Sequence, residues 1–161
     1  MRKRIIAVIG DSECPAEVKR LAYEVGRLVA NAGAYLICGG YGGVMAESAR
    51  GAKAAGGTTI GILSGIDPGE ANSSIDIPIV TGMRDARNAI IARTADGVIA
   101  VSGGFGTLTE IGFSLLFHVP LVGLRSWRLD HHDPAKRLPF PSADTPEKAF
   151  DLLLSLIEKK K

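Results

Sequence analysis

The sequence predicts an α/β fold: a single domain over residues 1–161 with a doubly wound, mostly parallel, Rossmann-like sheet. Three observations predict it. Short apolar runs alternate with segments of helical period along the chain, the order that packs helices on both faces of a parallel sheet. The runs are continuously apolar rather than alternating in polarity, as strands buried on both faces are. The 20 glycines gather where those runs end, at points where a chain leaving a strand for a helix must turn tightly.

Each element can be justified in order. Ile5–Ile9 is the first strand, and Gly10-Asp11-Ser12 turns the chain. Residues 15–32 carry Val18, Leu21, Ala22, Val25, Leu28 and Val29 on one helical face, and Gly33 stops the helix. Tyr35–Cys38 is the second strand, followed by a helix of small residues over 44–55 that ends at Gly56-Gly57. Residues 58–63 form the third strand, 64–76 a polar surface loop, and Ile77–Val80 a short fourth strand. A helix over 84–94, a strand over Gly97–Val101, a helix over 107–117 and a strand over 121–123 come next. Residues 125–142 read as irregular. Thr145 as N-cap and Pro146 at the first helical position open a last helix, which runs to residue 158.

Composition narrows the function. Net charge is +2, and the only basic runs are Arg2-Lys3-Arg4 and Lys159-Lys160-Lys161. No basic stripe with interleaved aromatics is present, so no nucleic-acid partner is expected. The apolar runs fall far short of a membrane span, and the stretch after MRKR is too short for a secretory signal. No membrane partner and a cytoplasmic location are therefore expected. Cys14 and Cys38 make no CxxC pair and read as two reduced thiols. His131-His132-Asp133 stands without a partnering His or Cys, so no metal site is expected.

Two glycine-rich stretches carry the functional signal. CGGYGGVMAE occupies residues 38–47 and VSGGFGTLTE occupies 101–110, each between a strand and a helix. A helix N-terminus presents unpaired N–H groups and partial positive charge, and glycines ahead of it let an anion approach the backbone. Both stretches lie at strand carboxyl ends, where doubly wound folds bind ligands. A small phosphate-bearing molecule is the expected partner. Dinucleotide and P-loop fingerprints do not fit: residues 40–45 read GYGGVM, with Met at the third glycine position, and no GxxxxGKS/T occurs. Thr107 and Glu110 have the spacing of a capping box. Arg87, a cation at a helix start, calls for an anionic partner, with Asp85, Glu110 and a ligand phosphate as candidates.

Taken together, GGYGGVM, ARN and SGGFGTLTE resemble the LOG-like family, long labelled lysine decarboxylases. The resemblance covers residues 5–123. Characterised LOG members are phosphoribohydrolases that cleave cytokinin riboside 5′-monophosphates to free base and ribose 5-phosphate. The resemblance implies that activity, with no cofactor required. The family's helix start Met-x-x-Arg-Lys and its loop Pro-Gly-Gly-x-Gly-Thr-x-x-Glu put its Arg on Arg87 and its Glu on Glu110, the candidate catalytic pair. In that reading Glu110 stabilises the ribosyl cation or orients water, and Arg87 keeps Glu110 ionised and in place or helps position the leaving base. Ser102, Gly103, Gly104, Gly106 and Thr107 would hold the phosphate. Gly39, Gly40, Gly42 and Gly43 would leave room for the rest of the ligand, and Met45, Met83 and Asn88 are the further ligand-binding candidates.

The chain departs from the family pattern at three places. The Lys after the motif Arg is Asn88, the loop Pro is Ser102, and Met83 stands one residue further from the Arg. DIPIVTGMRDARN, residues 76–88, is similar to the molybdenum cofactor carrier proteins, which share the fold and bind a phosphate-bearing pterin without chemistry. In that alternative the molybdenum cofactor is bound cargo. Lysine decarboxylation has no chemical support, because it needs a Schiff-base lysine, and Lys19, Lys53, Lys136 and Lys148 stand on helices or the late loop. Resemblance to either group also implies a homodimer or larger assembly, with the small-residue helices at 46–55 and 86–95 as packing faces.

Overall fold

In the computed structural model, which describes residues 2–136 and 140–160, the described residues form one seven-stranded sheet. The strands are β1 (Ile5–Ile9), β2 (Tyr35–Cys38), β3 (Thr59–Leu63), β4 (Ile77–Val80), β5 (Gly97–Val101), β6 (Leu121–Leu124) and β7 (Ser142–Ala143). Five α-helices accompany them: α1 (Ala16–Asn31), α2 (Gly43–Ala54), α3 (Asn88–Thr94), α4 (Phe105–Leu116) and α5 (Pro146–Lys159). The strand order is β4-β3-β2-β1-β5-β6-β7, and every neighbouring pair is parallel. This is the Rossmann-like α/β architecture that the sequence predicts.

Alternation along each strand sorts the core onto two faces. Ile6 and Val8 pack with Leu36, Ile99 and Val101 under residues of α1, α2 and α5. Ala7 and Ile9 pack with Ile37, Val98 and Ala100 under Ile91 of α3 and Ile111 of α4. Each fully buried Ile or Leu among them stabilises the fold by about 1.5–3 kcal/mol. β1 pairs with β2 on one side and β5 on the other, so the chain order reverses there. Doubly wound sheets open their ligand crevice at such a switch point, beyond the strand carboxyl ends.

Several predicted boundaries shift, each for a physical reason. α4 starts at Phe105 with Gly104 as its N-cap, two residues earlier than the period suggests, because Phe105 faces solvent and adds nothing to the apolar stripe. The predicted helix over 84–94 splits into a 3-10 turn, Arg84–Arg87, and α3. The last residue of the segment read as irregular, Ser142, opens β7, which with Ala143 pairs with β6, while residues 137–139 of that segment lie outside the described residues. β4 is exposed at all four positions, since the 64–76 connection lays no α-helix over it. Its Pro78 suits an edge strand. At the other end of the chain, Lys148 N–H donates to Thr145 Oγ1 at 3.3 Å, the predicted cap.

The Gly51 face of α2 packs inside the monomer. At Gly26 of α1 and Gly51 of α2 the helices touch backbone to backbone: an added Cβ would run into Ser48 O at one and Tyr23 O at the other. That face of α2 is therefore closed to a second copy. No helix of the described residues is long and apolar enough to cross a membrane.

Candidate functional site

A cleft of about 550 Å³ opens at the switch point, a size suited to a small ligand. Residues 9–12 after β1, Tyr41 and Met45 after β2, and Ser64 after β3 form one side. Asp85, Arg87 and Asn88 from the turn into α3, with Gly106, Thr107 and Glu110 of α4, form the other. The candidate catalytic pair thus shares one cavity. No group of three or more potential metal ligands occurs among the described residues.

Arg87 ends the 3-10 turn and threads its guanidinium under the first glycine loop. A Cβ on Gly39 would collide with that guanidinium and with Met45 Sδ, so glycine is what lets Arg87 lie there. Arg87 Nη1 donates to Ile62 O at 2.5 Å, and its guanidinium carbon lies 5.6 Å from the centre of the Tyr41 ring. Its Nε is buried without a hydrogen-bond partner. Among the described residues it forms no ion pair with Asp85 or Glu110.

Thr107 and Glu110 do not form a capping box. Gly104 is the cap, so Thr107 is the third residue of α4 and Glu110 belongs to the second turn. Thr107 Oγ1 is buried and makes no hydrogen bond. Glu110 is 8% exposed, and burial pushes its carboxyl from 4.5 up to about 8 against the opposing pull of Arg87. The expectation that Arg87 keeps Glu110 ionised meets an opposing effect: desolvation outweighs the neighbouring cation and raises the carboxyl.

The glycine loops make room mainly for the protein itself. A Cβ on Gly40 would strike Leu63, and one on Gly42 or Gly43 would strike the backbone of Ser12 or Asp11. At Gly103, with φ 108, it would strike the Thr107 side chain. Gly104 N–H donates to the Asp11 carboxylate at 2.6 Å. Gly106 alone of these has open space at the Cβ position, and it lines the cleft. Ser102 has φ 53, a conformation that the proline ring of the family motif cannot reach.

The remaining candidates divide. Met45 is buried and lines the cleft, whereas Met83 is 48% exposed and lies outside it. Asn88 is buried and donates its amide to Thr109 Oγ1 at 2.9 Å. Cys38 is fully buried and its thiol is pushed up to about 12, so it packs rather than reacts. Trp127 packs outside, donating to Gly104 O at 3.2 Å with its ring 6.1 Å from that of Phe105.

Sequence reasoning missed Asp11, Tyr41 and Ser64 as cleft residues. The Tyr41 hydroxyl accepts from Ser64 N–H at 3.0 Å and Gly65 N–H at 3.3 Å, which ties the loop after β3 to the first glycine loop. The signal for Asp11 was its place right after the first strand, a strand carboxyl end like the other two.

Known proteins resemble this chain in sequence and in fold. Residues 3–150 match the SLOG cluster4 family. A cytokinin riboside 5′-monophosphate phosphoribohydrolase of Mycobacterium tuberculosis is 32% identical over 130 residues, 70% of each chain. The molybdenum cofactor binding protein of the phototrophic bacterium Rippkaea orientalis superposes with a TM-score of 0.87 at 34% identity, over 98% of this chain and 99% of that one. The molybdenum cofactor carrier protein of Chlamydomonas reinhardtii gives a TM-score of 0.85 at 33% identity with the same coverage. The chain belongs to the SLOG cluster4 family, with a LOG-like fold close to that of the molybdenum cofactor carriers.

Proposed function

We propose that the cleft binds a small phosphate-bearing heterocycle, and that Glu110 and Arg87 hydrolyse the N-glycosidic bond of a nucleoside 5′-monophosphate held there. The observation that carries this reading is a pair of buried, unpartnered polar atoms, Arg87 Nε and Thr107 Oγ1, on residues that line one cleft. Buried polar groups are almost always paired, so a ligand is the natural partner for both. Thr107 and the first amides of α4 suit the phosphate. Glu110, protonated at neutral pH, suits proton donation to the leaving base. As the C1′–N bond breaks, the carboxylate left behind faces a ribosyl cation, and it takes the proton back from the water that adds to C1′. Arg87 stabilises that carboxylate while it lasts. No cofactor enters this reaction.

A second reading is carriage without chemistry, with a phosphate-bearing pterin such as the molybdenum cofactor as cargo. Two observations favour it. Similarity to the carrier structures runs along 98% of the chain. Asn88, where the hydrolase motif has Lys, spends its amide on Thr109 and brings no second cation to the cleft.

Incubation with AMP tests the choice. The hydrolase reading expects adenine and ribose 5-phosphate, with turnover reduced by orders of magnitude in Glu110→Gln. Binding of AMP without release of base by either protein supports carriage.

A further inference from the structure

We infer that Asp11 is a built-in competitor for the ligand's phosphate: its carboxylate takes the N-cap amide of α4 that a phosphate would take, so the two exchange at one seat. This rests on the phosphate-binding part of the reading above. Asp11 Oδ1 accepts from Gly104 N–H at 2.6 Å, across 93 residues of sequence. A Cβ on Gly104 would lie 2.9 Å from that same oxygen, so the carboxylate sits against bare backbone. The backbone of Asp11 is pinned separately, its carbonyl accepting from Val44 N–H at 2.9 Å. The side chain can therefore turn away while the loop stays in place. Asp11 forms no ion pair among the described residues, and its charge is balanced at the positive end of the α4 dipole.

A second observation points to a ligand at this helix end. Thr107 on the same first turn lines the same cleft, is 2% exposed, and its Oγ1 has no hydrogen-bond partner. A carboxylate takes the cap amide and leaves that hydroxyl unused. A phosphate has enough oxygens to take both, but it meets the like charge of Asp11 as it arrives. Asp11 thereby sets a threshold: a ligand with a phosphate and further contacts displaces it, whereas a free small anion gains little.

Calorimetric titration of inorganic phosphate and of adenosine into wild type, Asp11→Asn and Asp11→Ser tests this. Asn keeps an oxygen acceptor for Gly104 N–H and drops the charge, and Ser shortens the side chain as well, so the result does not hang on one variant folding. Both variants should bind phosphate about tenfold more tightly than wild type, the scale of removing one like charge at contact distance. Adenosine, which brings no phosphate, should not show that tenfold gain. Equal or weaker phosphate binding by both variants overturns the competitor role and leaves the phosphate reading standing. No phosphate binding by any of the three overturns both.

Discussion

Arg87 draws the Glu110 carboxyl toward ionisation, and the burial of Glu110 outweighs it. The two side chains line one cleft without forming an ion pair, because Arg87 gives Nη1 to the Ile62 carbonyl. A cation held by backbone and an acid raised by burial are poised separately, which in the proposed hydrolysis suits charge that appears during the reaction rather than before it.

This arrangement makes stability depend on pH. The folded-state value for Glu110, about 8, lies above the ordinary 4.5. Between those values the folded state keeps a proton that the unfolded chain has lost, so rising pH favours unfolding by about 1.4 kcal/mol per unit. Below the window both states are protonated, and above it the penalty is complete. Urea unfolding across that window should show the slope in wild type relative to Glu110→Gln. Parallel pH curves for the two proteins contradict it.

The same proton gives a kinetic signature. If Glu110 donates to the leaving base, hydrolysis of AMP should fall as pH rises through about 8, where the donor is lost. A rate that instead rises through that region assigns Glu110 the role of a carboxylate in the free enzyme.

Thr107→Val removes a buried hydroxyl that has no partner within the protein. Thermal stability should hold or rise, since no internal hydrogen bond is lost. Affinity for AMP should fall about tenfold, the scale of one hydrogen bond to a charged group. Unchanged affinity would mean that the hydroxyl does not meet the phosphate.

Assembly is expected on α4 rather than on the α2 face, which α1 occupies. Phe105 and Leu116 on α4 are 81% and 68% exposed, and Gly112 between them is open to close approach. Leu116→Glu should turn a dimer into a monomer by light scattering. A wild type that is monomeric at micromolar concentration contradicts the assembly.

Much of the fold was legible because the strands announce themselves. The continuous apolar runs at Ile5–Ile9 and Gly97–Val101 could only be buried on both faces, and the glycines after the second and fifth strands marked the ligand end of the sheet. What stayed hidden depends on tertiary contact. The two residues of β7 carry no periodicity to read. The capping-box spacing of Thr107 and Glu110 is matched in sequence and vacated in space, because Gly104 starts the helix earlier. Asp11 reaches Gly104 only once β1 and β5 lie side by side. Arg87 invited an ionised Glu110, and only the depth of burial reverses that sign.

The central claim is that the cleft is built for a phosphate-bearing ligand. Calorimetric titration of wild-type protein with AMP and with adenosine at neutral pH tests it most directly. The account predicts that AMP binds at least tenfold more tightly than adenosine, because Thr107 and the first amides of α4 act on the phosphate alone. Equal affinities, or binding of neither, would contradict it.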